Sequence, residues 1–184
     1  MNVNSHAKAT VLTRSACRFC GSNNIQIVFK LAPTPIADRV VSKEKRNEPQ
    51  EKYPLDLAFC NECGHLQLVH ALDPKILFKD YTYVTSSSLG LVEHFKLYAK
   101  SLIGRFSPAP NSLVVEIGSN DGSLLKFFKD RGLRVVGVDP AHETAKNATA
   151  RGLLTIPTFF SPSVAKEIQE EHGFAAIICA NNVF

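Results

Sequence analysis

Four of the five cysteines fall into two pairs, CRFCG at Cys17–Gly21 and CNECG at Cys60–Gly64. Each pair sets two sulfurs two residues apart and follows the second with glycine. That glycine can take a positive φ, which lets backbone amides turn toward the thiolates. Two such knuckles supply four soft ligands in a tetrahedron, a set that suits Zn²⁺. The role is structural, because four sulfurs leave no open position for a reacting water. A redox dithiol needs a single C-x-x-C at a helix start, and an iron centre is the other competing reading. The stretch between Cys20 and Cys60 is longer than the usual loop of about 15 to 20 residues. It is therefore expected to form strands of its own, IQIVF at Ile25–Phe29 among them. His65 and His70 lie nearby but are surplus to a four-cysteine site, and read as surface or core histidines.

A second chemistry is written in VVEIGSNDGS, Val114–Ser123. An apolar strand runs into a glycine turn, as at the start of a nucleotide-binding unit. A dinucleotide fingerprint needs glycine at the first, third and sixth loop positions. From Gly118 those positions hold Gly118, Asn120 and Ser123, so two of the three fail. Charge argues the same way. A pyrophosphate wants bare amides at a helix start, and Glu116 and Asp121 would repel it. S-adenosylmethionine carries a sulfonium and an ammonium, which acidic and amide side chains suit. The predicted cofactor contacts are therefore Glu116, Gly118, Asn120, Asp121 and Gly122, with Asp139 accepting from ribose hydroxyls. Asn181 and Asn182 fall at the same end of the predicted sheet.

The elements that must position these groups can be read in order. PLDLAFC and HLQLVH alternate like strands on either side of the second knuckle. Leu31 to Pro54 is rich in Pro, Lys and Glu and reads as loop and exposed edge. Asp73 before Pro74 is a helix-start pair. Leu91, Phe95, Tyr98, Leu102 and Phe106 then recur at helical spacing. From Leu113 onward strand and helix alternate: SLVVEIG, GSLLKFFKDRG, LRVVGVDP, AHETAKNATARG, LLTIPTFF, SPSVAKEIQEEHG and AAIICANNVF. That order implies a parallel α/β sheet whose ligands bind at the carboxyl ends of its strands. Ser161 and Pro162 are the expected N-cap and first position of the last helix, and Cys179 reads as a buried packing residue. The expected architecture is α/β. Residues 1–72 form a small zinc-binding β domain, 73–110 a helical linker, and 111–184 a truncated Rossmann-like domain. Tyr81 and Tyr83, in YTYVTSSS, read from sequence alone as half-buried tyrosines at a seam.

Bulk properties bound the rest. The chain has 184 residues, 45% of them hydrophobic and 21% charged, ordinary for a globular protein. No apolar run approaches the roughly 20 residues that span a bilayer, and the N-terminus lacks a signal-peptide pattern. A cytoplasmic setting is expected, which also disfavours disulfides. The formal charge of +4 is scattered. KEKR at Lys43–Arg46 reads as a solvated loop, so nucleic acid is not the expected partner.

As a set, the paired CxxCG knuckles, YTYVTSSS, EIGSNDGSLL, GVDPA and CANNVF resemble the sugar C-methyltransferases. These are zinc-containing, S-adenosylmethionine-dependent enzymes that act on nucleotide-linked 4-keto-6-deoxyhexoses. The resemblance runs from Cys17 to the end of the chain. It implies a class I methyltransferase sheet, with Cys17, Cys20, Cys60 and Cys63 on zinc. Gly118, Asn120, Asp139 and Asn181 or Asn182 would line the cofactor pocket. It implies deprotonation at sugar C3, beside the C4 ketone, and attack of the enolate on the sulfonium methyl. The family's active-site tyrosine, about twenty residues past its last zinc cysteine, falls on Tyr83. Methyltransferases generally read ExGxGxG in the loop, and Asn120 stands where the central glycine would be. Family members are longer, with a second α/β domain that helps bind the sugar nucleotide. The expectation is thus a fragment that binds zinc, binds the cofactor weakly if at all, and does not turn over alone. Two other readings stay open: a catalytically inactive interaction module, and a nucleic-acid methyltransferase with a zinc reader. The lack of a basic aromatic stripe counts against the last.

Overall fold

The computed structural model describes residues 11–37, 39–78 and 81–183, which divide into two compact units between Leu77 and Phe78. The first unit is built on short antiparallel strands. β1 (Val11–Thr13) pairs with β5 (His70–Leu72), and β2 (Ile25–Thr34), β3 (Tyr53–Cys60) and β4 (Leu66–Leu68) form a three-stranded sheet in that order. β1 carries no sequence signal beyond three residues of VLT and goes unread in the sequence. β2 runs past the predicted IQIVF through Pro33 to Thr34, with bulges after Ile27 and after Leu31. Proline is tolerated there because β2 is an edge strand whose outer N–H positions need no partner. Among the described residues between β2 and β3 there is only a short 3₁₀ turn at Lys43–Lys45, in keeping with the Pro and Lys content. α1 (Pro74–Phe78) follows, and Asp73 starts it as predicted, its Oδ1 accepting from the Lys75 amide at 2.9 Å.

The second unit is a parallel α/β sheet. β6 (Leu113–Ile117), β7 (Arg134–Val138), β8 (Thr155–Ile156) and β9 (Ala175–Ala180) take the order β8-β7-β6-β9, every pairing parallel. α2 (Leu89–Phe106), α3 (Ser123–Lys129) and α4 (His142–Ala150) precede or link these strands, and α5 (Pro162–His172) leads into β9. The period of two along β6 sends Val114 to one face of the sheet and Leu113 and Val115 to the other. On the first face Val114, Val135, Ile177 and Cys179 pack with Phe95 and Ala99 of α2 and Leu124, Leu125 and Phe128 of α3. On the second, Leu113, Val115, Val136 and Val138 meet Val164 and Ile168 of α5. Cys179 is thus the packing residue its apolar strand suggests.

α2 is therefore part of this unit's core. Leu91, Tyr98 and Leu102 pack on that core beside buried Phe95, as their spacing predicts. Phe106 departs from the pattern and stays exposed beside Arg105, because the helix ends there on left-handed Ser107. α5 starts as predicted, Ser161 Oγ accepting from the Val164 amide with Pro162 in the first turn. β8 is shorter than the apolar run LLTIPTFF. Pro157 has no N–H to donate, and the Thr158 amide turns back onto the Ile156 carbonyl.

Candidate functional site

In the first unit the four cysteine sulfurs lie within 4.8 Å of one another, the one such group of potential metal ligands among the described residues. Cys17 Sγ is 3.7 Å from Cys63 Sγ, and Cys20 Sγ is 3.6 Å from Cys60 Sγ. Sulfurs about 2.3 Å from a central Zn²⁺ stand about 3.8 Å apart at the corners of a tetrahedron, so the spacing fits that ion. The two knuckles are built alike. In each, the first cysteine's amide donates to a carbonyl five residues on, Cys17 to Ser22 and Cys60 to His65. In each, the glycine amide returns to that cysteine's carbonyl, Gly21 to Cys17 and Gly64 to Cys60, with φ of 76° and 73°.

Electrostatics ask for a cation at this centre. The amide of Cys20 does most to lower the Cys17 thiol, which sits at about 6. Cys63 receives the amide of His65, yet burial and the crowding of Cys20, Cys60 and Cys17 push its thiol up to about 12. Four thiolates this close cannot all ionise unless a positive ion sits among them.

Gln67, on β4, is a supporting residue that the sequence reading passes over. It is only 4% exposed. Its Oε1 accepts from the Arg18 amide at 2.8 Å and its Nε2 donates to the Ala16 carbonyl at 3.1 Å. A polar side chain at an inward position of an otherwise apolar strand is the signal that marks it. His65 lies beside Phe19, and His70 contacts Thr13 and Asp56; neither joins the sulfur cluster.

The second unit assembles its groups where the strand order reverses, at the carboxyl ends of β6, β7 and β9. The loop after β6 places three residues in the left-handed region: Gly118 at φ 69°, Asn120 at 49° and Gly122 at 76°. Asn is one of the few side chains that tolerates this region. Asn120 therefore holds the conformation of the glycine that the general motif would place there. Gly118 lies against Val183, where a β-carbon would collide with that side chain. Asp139, at the end of β7, is 7% exposed, and its Oδ2 accepts the Asn120 amide at 2.8 Å. Burial raises the Asp139 carboxyl against the pull of the Ala141 and Asn120 amides.

Two side chains make contacts that the sequence reading does not anticipate. Asn120 Oδ1 accepts from the Thr85 amide at 3.0 Å, and its Nδ2 donates to the Tyr83 carbonyl at 2.9 Å. Asp121 Oδ2 accepts from the Ser86 amide at 3.0 Å, and Oδ1 from the Ser123 amide and hydroxyl. Both thus face the chain that follows Tyr83. Burial works against the Asp121 carboxylate, but bonds from Ser123 and Ser86 hold it below its ordinary value.

Glu116 also differs from expectation. It is 3% exposed within the sheet. Burial, then the carboxylates of Asp121 and Asp139, raise its carboxyl well above the ordinary value of 4.5. Its neutral form is favoured, so the charge that the sequence reading set against a pyrophosphate is weakened. Of the two acids set against a pyrophosphate, Asp121 alone keeps its charge favoured. Glu116 Oε2, Ser119 Oγ and Asn181 Nδ2 are buried without a hydrogen-bond partner among the described residues, and Asn182 is left-handed at φ 56°. Tyr83 is 36% exposed with its ring 6.1 Å from that of Tyr81. A shallow cavity at the opposite, amino end of the sheet, by Lys129, Arg134 and His172, meets none of these groups.

Among the described residues, no helix is long and apolar enough to cross a membrane. Residues 17–78 match the family model of a putative zinc binding domain, the Methyltransf_13 family. Over 168 residues the chain is 35% identical to the C-methyltransferase NovU of Streptomyces niveus, an alignment covering 91% of this chain and 40% of that protein. The chain thus spans less than half the length of this curated relative. Both findings bear out the resemblance to zinc-containing C-methyltransferases read from the motifs. A solved structure, the plantazolicin methyltransferase BpumL in complex with SAH, is 19% identical with a TM-score of 0.30. It covers 37% of this chain and 29% of that one, a likeness too slight to carry weight.

Proposed function

We propose that the chain is the zinc-holding and cofactor-binding part of an S-adenosylmethionine-dependent C-methyltransferase acting on a nucleotide-linked 4-keto-deoxysugar in the cytoplasm. One observation carries the cofactor assignment. At the switch point of the sheet a left-handed loop, Asp139 and the end of β9 lie at the carboxyl ends of the strands, and there Asn181 Nδ2 is buried with no partner among the described residues. Buried polar groups are nearly always paired, so this one supports a polar ligand at that end. The 35% identity to a C-methyltransferase supplies the reaction class.

Bound S-adenosylmethionine would supply an electrophilic methyl group. On this reading Gly118, Asn120, Asp121 and Gly122 shape the loop that receives it, and Asp139 accepts from its ribose. Asn181 and Asn182 close the side nearest β9, and Glu116 supports the loop from beneath as a neutral acid. On the same reading Tyr83, partly exposed, contacts the sugar or moves the proton that leaves C3. Cys17, Cys20, Cys60 and Cys63 would hold Zn²⁺ as thiolates, giving the first unit a crosslink in place of a large core.

Calorimetry with S-adenosylhomocysteine on the zinc-loaded chain tests the assignment. Saturable binding, weakened tenfold or more in Asp139→Asn, is expected. A folded, zinc-loaded chain that binds none of it would instead favour an interaction module. For the substrate class, a nucleotide-linked 4-keto-6-deoxyhexose is expected to shift the amide resonances around Tyr83.

A further inference from the structure

The residue that replaces the central glycine of the loop does more than tolerate the turn. Its carboxamide accepts from the Thr85 amide and donates to the Tyr83 carbonyl, the two backbone groups that flank Val84. A neighbouring strand would satisfy the same two groups, so Asn120 acts as a one-residue strand for this segment. The Thr85 hydroxyl adds a longer contact to the same oxygen at 3.4 Å. The next side chain, Asp121, takes the Ser86 amide. Consecutive loop residues therefore hold three backbone groups of a segment some 35 positions earlier, and Thr85 is buried there.

The loop side of this contact is itself fixed. Asn120 is held in the left-handed region, with its own amide bound by Asp139. Asp121 is braced by Ser123, the first residue of α3. A glycine at position 120 would keep the turn and lose the side-chain contacts.

We propose that Asn120 and Asp121 form a clamp that fixes the segment after Tyr83 to the cofactor loop, making Asn120 a positioning residue for Tyr83. Occupancy of the loop is then transmitted to the tyrosine through the backbone at residues 83–86. The transmitted part rests on the cofactor assignment above; the clamp itself does not.

Amide hydrogen exchange, read by NMR on the zinc-loaded 184-residue chain, tests both parts. Without ligand, Asn120→Gly is expected to speed exchange at Thr85 about tenfold, the loss of one ordinary hydrogen bond. Amides of β6 and β7 should stay as slow as in the wild type. Asn120→Asp keeps the acceptor for Thr85 and should restore most of its protection, though not the bond to the Tyr83 carbonyl. Unchanged Thr85 exchange in Asn120→Gly overturns the clamp. Should that variant loosen the whole sheet, Asn120→Asp still decides, since Thr85 protection no better than in Asn120→Gly also overturns it.

Added S-adenosylhomocysteine is expected to slow exchange in both 118–122 and 83–86 of the wild type, but only in 118–122 of Asn120→Gly. Slowing of 83–86 that persists in Asn120→Gly refutes the transmission. No slowing of 118–122 in the wild type refutes the cofactor assignment, and leaves the clamp to the ligand-free comparison.

Discussion

Asp139 holds Asn120 by its backbone: Oδ2 accepts the Asn120 amide at 2.8 Å while Oδ1 takes the amide of Ala141 at 2.9 Å. The carboxylate that the sequence reserves for a ribose is thus already a structural acceptor for the turns after β6 and β7. Removing it strands two amides in or near the interior. Asp139→Ala is expected to lower stability by about 2 to 3 kcal/mol, measured by denaturant unfolding. Loss of less than about 0.5 kcal/mol would show that the two amides find other partners. Asp139→Asn keeps one acceptor and is expected to fall between.

Gln67 spans the first knuckle from outside it, touching the backbone on both sides of Cys17. Outer contacts of this kind are worth about 10- to 100-fold in metal affinity. Gln67→Ala is expected to weaken Zn²⁺ binding within that range, read by competition with a chromophoric chelator. Removing the metal altogether should abolish the cooperative melting of the first unit, as should Cys60→Ser. An apo chain whose β2, β3 and β4 amides remain protected would disprove a structural metal.

Glu116 sets a pH dependence of definite sign. Its folded-state carboxyl is raised above 4.5, first by burial and then by Asp121 and Asp139. A raised acid contributes fully below its unfolded value, and that contribution is lost as pH climbs through the folded value. Wild-type stability should therefore fall from about pH 4.5 upward until Glu116 ionises in the folded state, to the extent this residue governs it. Glu116→Gln keeps the shape and removes the charge. Above pH 4.5 it is expected to be more stable than wild type, with a flatter profile. Parallel profiles for the two proteins would refute the assignment.

Gly137 lies under the loop. A β-carbon there would collide with the Ser119 side chain and press on Thr155 Oγ1 at 2.9 Å. Gly137→Ala is expected to cost about 1 to 3 kcal/mol by overpacking. Adding Ser119→Gly should recover part of that loss, so a double-mutant cycle of thermal unfolding checks the pair. Additive losses would mean that Ser119 is not the obstacle.

Local patterns carried most of the fold. The two CxxCG pairs, the strand and helix alternation after Leu113, and the caps at Asp73 and Ser161 all depend on neighbours in sequence. Each can be read from a few residues. The contacts of Asn120 and Asp121 with residues 83–86 join positions about 35 apart and follow no period. Residue type therefore suggested the ligand-facing role and gave no sign of these backbone contacts. Gln67 was hidden in the same way, because its partners lie some fifty residues earlier. The charge of Glu116 was missed for a different reason. Its charge was counted from its type, but its position inside a two-faced sheet favours the neutral form. The short β8 was legible after all, since Pro157 marks where it must stop.

The likeness of the two knuckles has a topological consequence. Each closes on its own local hydrogen bonds and offers half of the ligand set, so neither depends on the path between them. A metal joining the halves fastens the two ends of the chain from Cys20 to Cys60 like a clasp. The entropy of holding such a ring shut grows only logarithmically with its circumference, about 0.6 kcal/mol for each doubling. The span around Lys43–Lys45, between β2 and β3, can therefore lengthen or shorten at small thermodynamic expense. It is the natural place for related chains to differ in size while keeping the same metal site.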